Sequence, residues 1–238
     1  MWPLPAISSQ SVTISFSPCN LVCSWFQENK DETYTLKAHQ RIPLHNLELE
    51  KATIFNPSFL GKAITQFLHE YHLEDASVYA SVKGPIIFEK IVSLPTSSPE
   101  PGDFRHLELK KQIWDYIYLY PTATGQFSFY LCGIKRDLLF QYQLLAIKNK
   151  INLISLAPYT LSLLHLYKYL QGNQFRHSQL GCDLMNNQHQ AEQLFTPEMI
   201  KQVVIKDPTI SIELDSEIPF LLDTLGLFVT RNQNHANH

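Results

Sequence analysis

The stretch from Val78 to Pro95 constrains this chain more than any other. It reads Val-Tyr-Ala-Ser-Val-Lys-Gly-Pro-Ile-Ile-Phe-Glu-Lys-Ile-Val-Ser-Leu-Pro. Two β-rich runs, Ser77–Val82 and Ile86–Val92, flank Gly84-Pro85. That dipeptide signals a turn, because glycine tolerates positive φ and proline fixes φ. The second run ends at Leu94-Pro95 and opens into Thr96–Gly102, a polar segment rich in proline that cannot continue a strand. A sheet is therefore built here.

Upstream, Ser11–Ser17 alternates apolar and polar residues, as a half-buried strand does. Leu21–Phe26 and Tyr34–Ile42 are further strands, joined by the polar loop Gln27–Thr33, so the chain opens as a three-stranded meander. Asn56-Pro57 starts a helix: asparagine caps free amides and proline suits the first helical position. Phe59, Leu60, Ala63, Ile64, Phe67, Leu68 and Tyr71 form its apolar face, ending near His72. Downstream of Val78–Pro95, Phe104–Tyr118 reads as a charged helix that turns to strand near Tyr116. Gln126–Gly133 is a strand, and Asp137 caps a helix through Lys148 with Leu138, Leu139, Tyr142, Leu145 and Ala146 inward. Ile151–Leu156 is a strand, and Pro158 opens a helix that Gly172 ends. Strand–helix–strand–helix is an α/β signature. Beyond it, Gly181–Leu184 reads as a short strand, Thr196-Pro197-Glu198 as a helix start and Thr209–Leu214 as a strand. Pro219–Val229 reads as a closing helix before a frayed tail.

Composition excludes several classes. With 45% hydrophobic and 17% charged residues a core is expected, not disorder. Net charge is −3 with no cationic block, which disfavours nucleic acid as the main partner. No apolar run is long enough to span a membrane, and Met1–Pro5 lacks the basic start of a signal peptide, so the expectation is a cytosolic protein. Cys19, Cys23, Cys132 and Cys182 form no Cys-x-x-Cys pair and read as small buried hydrophobes. A zinc site combining them with His177 or His189 would lack any recognised spacing. His69 and His72 share a helix face, but a metal needs a third ligand. No nucleophile elbow, Walker loop or dinucleotide fingerprint is present, and Asp115, Asp183 and Asp223 stand alone in the sequence.

The order of elements resembles PilM, the actin-like protein of type IV pilus assembly, and its relative FtsA. The strand ending in Leu94-Pro95 leads to Asp115-Tyr116-Ile117-Tyr118-Leu119-Tyr120-Pro121, similar to the family's Tyr-Ile-Pro-Tyr-Pro-like stretch. Ile151–Leu161 matches the family's turn into a helix, and Ile218–Phe228 its Ala-Leu-Gly-Leu-Ala-Leu close. The resemblance covers most of residues 11–171 and 218–229. It implies an α/β, actin-like (ribonuclease H-like) mixed sheet with helices, a small inserted α/β subdomain and a truncated second lobe. Residues 1–94 would begin the first lobe and 95–150 form the insertion. Residues 151–175 would return to the lobe, 176–217 form a remnant of the second, and 218–238 close the fold.

Two departures matter. Where actin-like ATPases carry Asp-x-Gly on the first strand, this chain has Ile14-Ser15-Phe16-Ser17-Pro18. The second phosphate strand would fall on Gly181–Met185, without its required glycine. The expectation is a short relative of the HofM/ComA type with no catalytic residues, cofactor or metal. It would be a cytoplasmic scaffold, peripheral to the inner membrane, in a pilus, competence (DNA uptake) or type II secretion-like platform. The resemblance implies that the cytoplasmic N-terminal tail of a PilN-like membrane protein docks in a groove of the first lobe. Ile87, Phe88, Trp114 and Tyr118 are the candidate groove residues, each otherwise explicable as core. Self-association stays open, nucleic acid is not contacted directly, and the membrane is reached through the partner. The alternatives are an enzyme with a dispersed site, a nucleotide-binding actin-like ATPase, and a secretion domain of the GspL type.

Overall fold

A computed structural model describes residues 10–31, 33–44, 49–50, 53–84, 88–107, 112–172 and 194–235. The opening meander is β1 (Ser11–Phe16), β2 (Asn20–Glu28) and β3 (Tyr34–Pro43). Two-residue strands β4 (Leu49–Glu50) and β5 (Thr53–Ile54) precede helix α1 (Pro57–Glu70). Asn56 caps α1 as its sequence requires, its side-chain oxygen accepting the Phe59 N–H at 3.0 Å. Strand β6 (Ser77–Val82) then lies parallel to β1, with Ser15 opposite Ser81.

The two β-rich runs around Gly84-Pro85 do not pair with each other. The first is β6, in the main sheet; the second is β7 (Phe88–Leu94), in a separate three-stranded sheet. That second sheet has the order β7-β9-β8, with β8 (Gln112–Pro121) and β9 (Phe127–Lys135) antiparallel. Phe104–Tyr118 is thus not a helix: a 3-10 turn spans Pro101–Leu107, and extended chain follows from Gln112. The period of two in Trp114, Tyr116 and Tyr118, with Ile113 and Ile117 between them, outweighs the charged residues before it.

Helix α2 (Arg136–Lys148) follows β9 directly. Its cap position is Lys135, with no side-chain cap bond, and Asp137 sits in the first turn instead of capping. β10 (Leu153–Pro158) returns to the main sheet beside β6, and α3 (Tyr159–Gln171) ends at Gly172, whose φ is +48°. After α4 (Pro197–Lys201), strand β11 (Val204–Lys206) pairs in parallel with β3. The strand expected at Thr209–Leu214 is therefore earlier and shorter. Asp207 organises the turn in its place, accepting from the Thr209 backbone and hydroxyl and from Lys37. The closing helix α5 (Leu214–His235) starts before Pro219, with Asp215 and Glu217 favouring its first turn, and runs into the expected tail as far as His235. Gly181–Leu184 lies outside the described residues.

The main sheet is mixed, in the order β10-β6-β1-β2-β3-β11. One of its faces is apolar: Val12, Ile14, Phe16, Val78, Ala80 and Val82 pack against α1 and α2. The other lies under α5, which also packs along α3.

Candidate functional sites

The face under α5 is lined with hydroxyls. Thr13, Ser15, Ser24 and Ser81 point to it from three adjacent strands, and all four are buried. Polar alternation on a strand normally marks a solvated face; here the face is closed by a helix that meets Ser15, Ser24 and Ser81 with polar groups of its own, while the Thr13 hydroxyl donates to the Ser24 carbonyl at 3.2 Å. Asp223 of α5 accepts a hydrogen bond from the Ser81 hydroxyl, and Ser15 and the Thr224 backbone support the same carboxylate. Burial raises the Asp223 carboxyl to about 6, against the pull of those donors and of Lys83. Ser15, which stands where the resemblance places a phosphate-site aspartate, thus meets a carboxylate from α5. Ser17 is used locally, bonding the Asn20 carbonyl at 2.9 Å in the β1–β2 turn.

A second line of groups runs alongside. Ser24 Oγ lies 3.0 Å from His39 Nδ1, and His39 Nε2 lies 3.2 Å from Glu217 Oε2. Arg41 Nη2 approaches the same carboxylate at 3.6 Å and its guanidinium stacks 4.2 Å over the Phe220 ring. Burial holds the His39 imidazole below its ordinary value, and Glu217 opposes the shift. In the neutral ring, Nε2–H donates to Glu217 and Nδ1 accepts from Ser24. Hydroxyl, imidazole and carboxylate follow one another as in a nucleophilic triad. Ser24 is 0% exposed, however, and its oxygen also contacts Thr224 Oγ1 at 3.2 Å. The oxygen is thus enclosed, and the line fastens α5 to β2 and β3.

The candidate groove residues lie on the three-stranded sheet. Register sets Phe88 opposite Gly133 and Gly133 opposite Trp114, so the two rings flank a position without a side chain. Tyr118 lies opposite Phe129 on the same face. Phe88, Trp114 and Tyr118 are all partly buried, packed on Val92, Leu94, Phe104, Phe129 and Leu131. Phe104, from the 3-10 turn, stacks 4.9 Å from Trp114. Ile87 lies outside the described residues. This aromatic face looks away from α3. The opposite face, carrying Ile91, Ile117, Tyr130 and Cys132, is the one that packs against Leu161 and Leu164 of α3. Glu89 on that inner face accepts a hydrogen bond from Thr160. Sequence reasoning missed Glu89 and Thr160, since 71 positions separate them.

The other candidates do not converge. Cys19 is exposed in the β1–β2 turn, whereas Cys23 is buried, its thiol pushed up to about 12 by desolvation. Cys19 is thus not the buried hydrophobe expected, whereas Cys23 and Cys132 are. Cys182, Asp183, His177 and His189 lie outside the described residues. His69 Nδ1 pairs with Glu74 at 2.8 Å, and His72 adopts a positive φ at the end of α1. Among the described residues no group of His, Cys, Asp and Glu has the geometry of a metal site.

No protein-family description and no curated protein matches this sequence. Solved structures do: a chain of the PilM–PilN type IV pilus biogenesis complex superposes with a TM-score of 0.62, covering 93% of this chain and 98% of that one. The chain has the PilM fold. Identity over the match is 12%, so the likeness is one of architecture, and the actin-like mixed sheet expected from the order of elements is the one observed. A weaker likeness, with a TM-score of 0.41 at 12% identity, is to the cytoplasmic domain of EpsL, an inner membrane component of the type II secretion system of Vibrio cholerae. It covers 65% of this chain and 59% of that one. Among the described residues, no helix of this PilM-like chain is long and apolar enough to cross a membrane.

Proposed function

We propose that this chain is an adaptor without turnover of its own, working at the cytoplasmic side of a type IV pilus, competence or type II secretion-like platform. It binds the cytoplasmic N-terminal tail of a PilN-like membrane protein at the rim of the three-stranded sheet. The observation that carries this reading is the row Phe88–Gly133–Trp114, two half-buried rings on either side of a missing side chain. Trp114 and Gln112 fill the space over Gly133 itself, so an extended peptide would lay its apolar anchor across the two rings, and the chain edges beside them supply amides for register. A scaffold role without nucleotide is supported by Ser15 and Asp223, which pack against each other where a phosphate-binding strand would need open space.

The test is a titration of a fluorescent peptide carrying such a tail against wild type and Phe88→Ala. The variant is expected to bind at least about tenfold more weakly while its melting temperature holds. Unchanged affinity would place the tail elsewhere. Trp114→Ala is the less clean probe, because its ring packs on Phe104 and its loss opens a cavity.

A further inference from the structure

Helix α2 is apolar on both sides. Leu138, Tyr142, Leu145 and Ala146 are buried in the main core. Phe140, Leu144 and Ile147 are 51%, 36% and 47% exposed. Spaced four and then three residues apart, they form one outward stripe, about 10 Å long at the helical rise. Phe55, 58% exposed, extends it: the N–H of neighbouring Ile54 is bound by the side chain of Gln141 on α2 at 3.2 Å. A surface helix ordinarily turns polar residues outward, so a stripe of this kind is covered by something in the working protein.

Charge indicates what covers it. Lys135 and Arg136 stand at one end of the stripe and Lys148 and Lys150 at the other, all exposed, with Asp137 the single carboxylate in 135–150. That segment carries a surplus of positive charge in a chain of net charge −3. Apolar side chains framed by cations, with the uncharged Gln143 the exposed polar residue beside them, match the boundary between anionic headgroups and acyl chains. We infer that the outer face of α2, with Phe55, is a docking surface for an anionic membrane, entered by Phe140, Leu144 and Ile147 and held by the lysines and arginine around them. β9 runs from Gly133 directly into α2, so this surface adjoins the Phe88–Gly133–Trp114 row, but it does not depend on what binds there.

Co-sedimentation of the full chain with vesicles tests it. Binding is expected to vesicles of phosphatidylglycerol and phosphatidylcholine, to fall as salt is raised, and to be about tenfold weaker for F140S/I147S at an unchanged melting temperature. K148E/K150E is expected to weaken binding to the anionic vesicles. The inference is overturned if wild type stays in the supernatant, if it binds phosphatidylcholine alone equally well, or if F140S/I147S binds like wild type. It is also overturned if the stripe instead seats a second copy, seen as a concentration-dependent mass in wild type that F140S/I147S abolishes. Tail-peptide affinity should be the same in F140S/I147S as in wild type, which separates failure here from failure of the adaptor reading.

Discussion

The hydroxyl of Ser81, at the end of a central strand, donates a hydrogen bond to the carboxylate of Asp223, 142 residues later in the closing helix. Both groups are buried, so the bond joins an interior strand of the main sheet to the last helix described.

A pH dependence follows from that burial. The Asp223 carboxyl is raised from 3.8 to about 6 in the folded protein, so the folded state holds its proton more tightly than the unfolded chain does. The stability this contributes is complete below 3.8 and is lost as pH rises through about 6. Relative to Asp223→Asn, wild type should therefore gain about 2 kcal/mol as pH falls from 7 to 4. Urea melts of both proteins across that range check it. The opposite titration of His39 is common to the two proteins and cancels in the difference.

Ser15→Asp should not create a nucleotide site. It would place a second carboxylate against Asp223 in a position 4% exposed, at a cost of about 3 kcal/mol or more. Calorimetry with ATP and magnesium is expected to show no micromolar binding to wild type or variant. Heat of binding in wild type would mean that phosphate enters by a route other than the first strand.

Ser24 is expected to be inert to a fluorophosphonate despite its contact with His39, because its oxygen has no exposed surface. Mass spectrometry of the treated protein is the check. A phosphonylated Ser24 would show that α5 lifts and that the hydroxyl–imidazole–carboxylate line is a working triad.

Two glycines should respond differently to alanine. A Cβ at Gly226 would lie 2.2 Å from the Ser162 carbonyl oxygen, backbone that cannot yield without separating α3 from α5. Gly226→Ala should cost about 3 kcal/mol. A Cβ at Gly61 would meet the side chain of Asn149, which can rotate away at the loss of its bond to the Leu145 carbonyl. The helix propensity of alanine offsets that loss, leaving Gly61→Ala within about 1 kcal/mol of wild type. Chemical denaturation of both variants decides the comparison.

The fold was legible where local chemistry and tertiary role agree. Asn56-Pro57 opens α1, Gly172 ends α3, and the meander follows from its loops. Legibility failed where long-range partners decide. Ser11–Phe16 alternates like a strand with one wet face, yet both faces are buried, because α5 covers the hydroxyl side. Nothing near Thr13 or Ser15 announces a helix some 200 residues away, as the Ser24–Thr224 contact shows. β6 ends at Val82 and β7 begins at Phe88, but whether the two belong to one sheet or to two depends on β9, which supplies the partner for β7. The aromatics of β8 were visible, and their common face with Phe88 was fixed only by register through Gly133.

The hydroxyl-lined face also bears on how the protein is made. A ribosome delivers β1, β2 and β3 long before α5, and domains tend to form in that order. Until the last helix emerges, the side of the young sheet that waits for it presents Thr13, Ser15, Ser24 and His39 to water beside Phe26, Tyr34 and Leu36. A wholly greasy surface left open that long would invite association with other nascent chains; here the hydroxyls and the imidazole confine the apolar part to three side chains until the cover arrives.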